Sequence, residues 1–325
     1  MKTIKKVLLF FALLSLVACQ SNPAENKDNS TDKNPQQPVV YTSFYPIYDL
    51  TKSIAGEDLD VKSLMPLDVE AHDWEPSAKD MKDLSSADLL IINGASMEPW
   101  VDQVKEALPD LKILDLSQGL NLLNASEDDH EEADAHDHDH EEAEDHHHHH
   151  GDTDPHTFLS LKNAIQYVDK INLALKEIQP DTSQNFDQRS KDLSQELTDL
   201  LTKYQKVFSE KKSKTFIVPH SAFAYLAKDF NLDQYPLQGL TSVDEPDLKT
   251  IQEAITTCEK LGITKVFYEY GGPSKGAETI AKEAKIETAP LATMEMQVPS
   301  KDSKEVHYVD LMEMNLENIS ESLDS

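Results

Sequence analysis

The residues of this 325-residue chain that could do chemistry are its histidines, and ten of the thirteen lie between residues 127 and 156, in EDDHEEADAHDHDHEEAEDHHHHHGDTDPH. Nine of them (His130, His136, His138, His140, His146, His147, His148, His149 and His150) are interleaved with twelve Asp and Glu between Glu127 and Asp145. Imidazole and carboxylate are ordinary zinc ligands, so the segment can bind that ion. It carries almost no apolar side chain to bury and is expected to be a loop without a fold of its own. A chain that must lose entropy to close around an ion makes weak sites. Tethered beside His156, however, it would hold loosely bound metal at an effective concentration of about the millimolar range. It therefore reads as an accessory that collects zinc or passes it inward, with a solvated filler loop as the plain alternative.

Three histidines outside the repeat are more suggestive: His72 in EAHDWEP, His156 in TDPHTFLS and His220 in IVPHSAFAYL. Each precedes or begins a helix after a turn, and His220 directly follows an expected strand, where open α/β sheets bind ligands. Singly, each could be a structural histidine; together they point to one cleft. Asp154 either orients His156 through a hydrogen bond or makes the turn before Pro155. Trp74 reads as a packing residue, Cys258 as a buried small hydrophobe and His307 as an ordinary surface or helix residue.

The start of the chain, MKTIKKVLLFFALLSLVAC, has basic Lys2, Lys5 and Lys6, an apolar stretch from Val7 to Val17, and then Cys19. That stretch is too short to span a bilayer core of about 30 Å, so residues 1–18 read as an export signal. The ending LVAC resembles a lipobox, which implies lipidation of Cys19, and the polar residues 20–37 would then be a disordered tether. Besides Cys19 the chain has Cys258 alone, so no internal disulfide is expected. A formal net charge of −30 repels nucleic acid and anionic lipid headgroups, so neither is expected as a partner, and cations are the attracted species.

These residues need elements to hold them. VVYTSF, ADLLIING and ILDLS read as strands, and YPIYDLTKSIAG as a helix with Pro46 in its first turn. KTFIV and TKVFYEY repeat the pattern, followed by helical SAFAYLAKDF and SKGAETIAKEA. Alternating strands and helices imply parallel sheets covered by helices. The expected fold is α/β: an N-terminal lobe over 38–180 that carries the loop 124–151, a linker helix over 181–211, and a C-terminal lobe over 212–325. In the linker, Phe186, Leu193, Leu197, Leu200, Leu201, Tyr204, Val207 and Phe208 follow a 3.6-residue period. One long helix joining two lobes would restrict hinge motion.

The lipobox, the tether, FYPIYDLTKSIAG, AHDWEPSAKDMKDLSSADLLIINGASMEPWV, the acid-histidine insert, DPHTFLS, VPHSAFAYLAKDFNL and AETIAKEA occur in this order. The ordered set resembles the zinc-binding lipoproteins of bacterial ATP-binding-cassette importers, the AdcA/ZnuA type, from about residue 38 to the end. The resemblance implies two pseudo-symmetric lobes that hold one metal ion between them, with His72, His156 and His220 as ligands. Manganese-binding relatives have a carboxylate where His220 stands. Zinc-specific relatives carry a glutamate in a proline-leucine-glutamate context. APLATMEMQVPSKD offers Glu295 in an altered version of it, ahead of Glu269 in VFYEYGG, or of water.

Three imidazoles and one carboxylate suit four-coordinate zinc and leave the ion with net charge near +1, which limits the cost of burying it. Manganese prefers more oxygen, whereas copper and nickel share zinc's liking for imidazole. The resemblance implies a monomeric, non-enzymatic receptor, lipid-anchored on the outer face of the cytoplasmic membrane of a Gram-positive cell. It would deliver Zn2+ to an integral membrane permease with a separate cytoplasmic ATPase. A receptor for manganese or another divalent metal, a surface adhesin and a zinc hydrolase are the rivals. The hydrolase lacks an HExxH helix or comparable motif to supply a general base.

Overall fold

The computed structural model describes residues 37–72, 74–124, 153–240, 246–298 and 306–323. The expected export signal, Cys19 and the nine histidines of the acidic repeat lie outside them.

The N-terminal half is built on a four-stranded parallel sheet with strand order β2-β1-β3-β4, comprising β1 (Val39–Thr42), β2 (Asp60–Ser63), β3 (Leu89–Ile92) and β4 (Ile113–Asp115). β3 reads LLII, and all four side chains are buried. An unbroken apolar run is what a strand covered on both faces requires. Helix α1 (Tyr45–Ala55) follows β1 with Pro46 in its first turn, where the missing N–H costs nothing. α2 (Ala78–Leu84) opens on a capping box in which Ser77 and Asp80 satisfy each other's backbone N–H. α3 (Val101–Ala107) closes the layer over β3 and β4, with Trp100 and Val104 packed on Leu90 and Ile92.

Beyond β4 the chain returns at Thr153, whose backbone pairs antiparallel with Asn124, while the Asp154 N–H donates to the Leu123 carbonyl at 3.0 Å. A short 3-10 turn (Thr157–Leu159) leads into α4 (Leu161–Ile178), capped by the Ser160 hydroxyl. Next comes α5 (Ser183–Ser209), the long helix between the two halves. Its buried residues are Phe186, Ser190, Leu193, Leu197, Leu200, Tyr204 and Phe208. This is one apolar stripe, and it packs on α4, α1, α6 and α9. The chain's single arginine, Arg189, reaches from α5 to the Ile54 and Ala55 carbonyls and to Asp58 at 2.7 Å, tying the helix to the end of α1.

The C-terminal half repeats the parallel strand-helix alternation. β5 (Thr215–Val218), α6 (Ala224–Phe230) and β6 (Asp233–Pro236) form one parallel pair. After α7 (Leu248–Leu261), β7 (Lys265–Glu269), α8 (Lys275–Ala284) and β8 (Glu287–Leu291) form another, with β7 beside β5. α9 (Tyr308–Ser322) returns across the molecule and packs on α5, α1 and β8. Cys258 is buried against Ile217, Ile263 and Val266, as its helical setting suggested.

His307 is exposed at the start of a helix, as a surface or helix residue would be, and it also has a polar partner. It opens α9, and its Nδ1 lies 2.9 Å from Asp49 of α1, whose other oxygen accepts the Tyr308 N–H. The main core cluster runs without a break from Val40 and Ile47 through α4 and α5 to Leu291 and Leu323, so both halves are packed on one long helix.

Candidate metal centre

Each of the side chains singled out above leaves the carboxyl end of a strand, or a turn braced by one. His72 lies in the turn after β2. His220 stands two residues past β5, and Glu295 four residues past β8. Met294, immediately before Glu295, holds a left-handed backbone with φ of 62°. A non-glycine residue adopts that conformation only where its surroundings enforce it, and here it belongs to the turn that carries the carboxylate.

His156 is the most firmly placed. Its ring is fully buried, and its Nδ1 lies 2.8 Å from Asp154 Oδ1, which also accepts the His156 backbone N–H at 2.9 Å. The orienting role of Asp154 is therefore present in the geometry beside the turn-making one. Buried Asn93, just past β3, donates through Nδ2 to the Pro155 carbonyl at 2.9 Å and accepts from the hydroxyls of Thr157 and Tyr167. Glu98 in turn accepts the backbone N–H groups of Asn93 and Gly94. Burial pushes the Glu98 carboxyl up to about 7 against those bonds. The sequence reading did not find this support for the histidine turn: neither residue belongs to a ligand pattern, and their partners lie on segments that only the fold brings together.

The ligand atoms of His72, His156, His220 and Glu295 all lie within 4.8 Å of one another. The Nε2 atoms of His72 and His156 are 3.3 Å apart. Glu295 Oε1 is 3.2 Å from His156 Nε2 and 3.3 Å from His220 Nε2, and its Oε2 is 3.6 Å from His72 Nε2. All four side chains are buried, with exposures of 6% for His72, 3% for His220, 1% for Glu295 and none for His156. This is the one such group among the described residues. Three nitrogens and a carboxylate oxygen aimed at a common point form the donor set of a four-coordinate zinc site.

The electrostatics fit a site awaiting a cation. Burial alone would raise the Glu295 carboxyl, but hydrogen bonds from His156, His220 and His72 overcome it and hold the group well below the usual carboxylate range. Burial opposes the charged form of His156, yet its bonds to Asp154 and Glu295 lift it to about 9. Glu70, whose carboxylate accepts the His72 backbone N–H at 3.1 Å, is raised to about 7 by burial and by the neighbouring Glu295. Sequence reading missed Glu70 because its proximity to Glu295 arises only when the chain closes.

Glu269, the alternative fourth ligand, is not among the converging atoms. It is the last residue of β7 and lies on the far side of the His220 ring, with Oε2 3.9 Å from Nδ1. Trp74 packs edge-on against Trp100, as a core residue would. No helix among the described residues is long and apolar enough to cross a membrane.

Comparison with known proteins agrees in sequence and in fold. The chain is 33% identical over 312 residues to the high-affinity zinc uptake system protein ZnuA of Bacillus subtilis, covering 95% of this chain and 94% of that one. It is 33% identical over 325 residues to the zinc-binding protein AdcA of Streptococcus pyogenes, but spans only 61% of that longer protein. The crystal structure of the Zn(II)-bound ZnuA-like domain of Streptococcus pneumoniae AdcA superposes with a TM-score of 0.73 at 27% identity, over 89% of this chain and 100% of that one. Residues 40–322 match the family model ZnuA, "Zinc-uptake complex component A periplasmic", and the chain therefore belongs to the ZnuA family.

Proposed function

We propose that this chain is a zinc receptor that captures Zn2+ at His72, His156, His220 and Glu295 and presents it to the permease of an ATP-binding-cassette importer. The observation that carries the reading is the convergence of those four ligand atoms within 4.8 Å in a buried centre. Three nitrogens favour zinc over manganese, which seeks more oxygen. Family membership and the names of the relatives support zinc as cargo.

His156 must give up its Nε2 proton before that nitrogen can ligate, while Asp154 holds the other nitrogen protonated and the ring in place. The acid-histidine repeat is an accessory collector in this reading. The residues that flank it, Asn124 and Thr153, pair in a bridge that directly precedes Asp154 and His156, so the repeat is tethered to the chain next to the buried centre. The sequence around Cys19 supports a lipid anchor that keeps the receptor at the outer face of the membrane, near its permease.

The reading is tested by zinc titration of the chain after removal of residues 127–150. One tight zinc per chain is expected to remain, and His220→Ala is expected to weaken it by more than the roughly 10–100-fold that loss of an outer-shell partner costs. Loss of all tight binding on deleting the repeat, or an unchanged affinity in His220→Ala, would overturn it.

A further inference from the structure

We infer that Glu269 is a positioning residue of the metal centre: when an ion is held at Nε2 of His220, Nδ1–H of the same ring donates to the Glu269 carboxylate. The inference rests on the zinc-receptor reading. His220 turns Nε2 toward Glu295 at 3.3 Å, among the other ligand atoms. A nitrogen that ligates must be free of its proton, so a ligating neutral ring carries its proton on Nδ1. In this structure Nδ1 of His220 is buried and has no hydrogen-bond partner. Leaving a buried donor unpaired costs about 1–3 kcal/mol, which a native site rarely tolerates.

Glu269 is placed to meet that need. Its Oε2 lies 3.9 Å from Nδ1, about 1 Å beyond the length of a charge-assisted hydrogen bond. The other oxygen, Oε1, accepts the Thr293 hydroxyl, so the carboxylate is steered from behind. Its backbone is fixed by the turn that follows: Gly271 has φ of 94°, and the Gly272 N–H donates to the Glu269 carbonyl at 2.9 Å. A Cβ at Gly272 would sit 3.2 Å from the Glu269 Cβ, so the turn is packed directly on the glutamate stem.

The completed geometry already exists on the neighbouring ligand, where Asp154 Oδ1 stands 2.8 Å from Nδ1 of His156. A ring shift of about 1 Å at His220 would make the second histidine match the first. The bond would fix the tautomer of His220 and raise its basicity toward the ion, as carboxylates behind zinc-bound histidines do. The residue that sequence reading offered as an alternative ligand would then act through a ligand.

The test compares wild type, Glu269→Ala, Glu269→Gln and His220→Ala. Zinc affinity is measured by chelator competition, and the zinc-loaded chains are examined by NMR with 15N-labelled histidine. Wild type is expected to show a hydrogen-bonded Nδ1–H resonance for His220. Glu269→Ala should lose that signal and roughly 10–100-fold in affinity. Glu269→Gln, whose amide oxygen can accept the same bond, should keep the signal and recover part of the loss.

Absence of the resonance from zinc-loaded wild type would overturn the inference even if Glu269→Ala failed to fold. So would wild-type affinity in Glu269→Ala, or equal losses in both Glu269 variants with the resonance unchanged. Weak zinc binding by wild type, or none lost in His220→Ala, would instead sink the receptor reading itself.

Discussion

At the scale of single residues, the centre is a balance between burial and pairing. Glu295 is ionised in a buried place because three imidazoles surround it, and His156 is easily protonated because two carboxylates flank it. At Glu98 the pairing is weaker than the burial. This residue is fully buried, and although the Ser43 hydroxyl and the backbone N–H groups of Asn93 and Gly94 favour its ionised form, burial wins and the carboxyl rises from an ordinary 4.5 to about 7. A carboxyl raised in the folded state binds protons more tightly there than in the unfolded chain, so its contribution to stability falls as pH rises. The penalty is fully present above about pH 7 and is relieved as pH falls toward 4.5. Wild type is therefore expected to gain about 1 kcal/mol on going from pH 8 to pH 6, relative to Glu98→Gln. Urea unfolding of the metal-free proteins at both pH values measures this, and parallel pH dependence in the two proteins would contradict it.

At the scale of elements, α5 carries the two halves. Leu197 sits on its buried stripe, fully enclosed in the cluster that joins the β1 layer to the α9 layer. Leu197→Ala should cost about 2–5 kcal/mol in unfolding free energy while leaving the zinc affinity of the folded fraction near that of wild type. A large loss of affinity with little loss of stability would mean that α5 shapes the site itself.

This helix was legible in the sequence because a 3.6-residue stripe without glycine or proline admits few other readings. β3 and β5 were legible as apolar runs. The strands DVKS, DQYP and ETAPL were not, since they are short, polar or proline-bearing and gain their order from pairing with stronger neighbours. The three histidines stood out by type and setting, whereas the placing of Glu269 behind His220 depends on how β7 lies beside β5.

At the scale of the whole molecule, the side chains of residues 72, 156, 220 and 295 meet at one buried point because both halves pack on the same long helix. That arrangement buries a donor set drawn from segments far apart in the chain. The formal net charge of −30 on the chain as a whole favours the approach of cations. The most direct test is diffraction from crystals of the zinc-loaded chain collected on both sides of the zinc absorption edge. A single strong anomalous peak is expected, about 2.0–2.2 Å from Nε2 of His72, His156 and His220 and from a Glu295 oxygen. A dominant peak away from those four atoms, with the buried centre empty, would contradict the account.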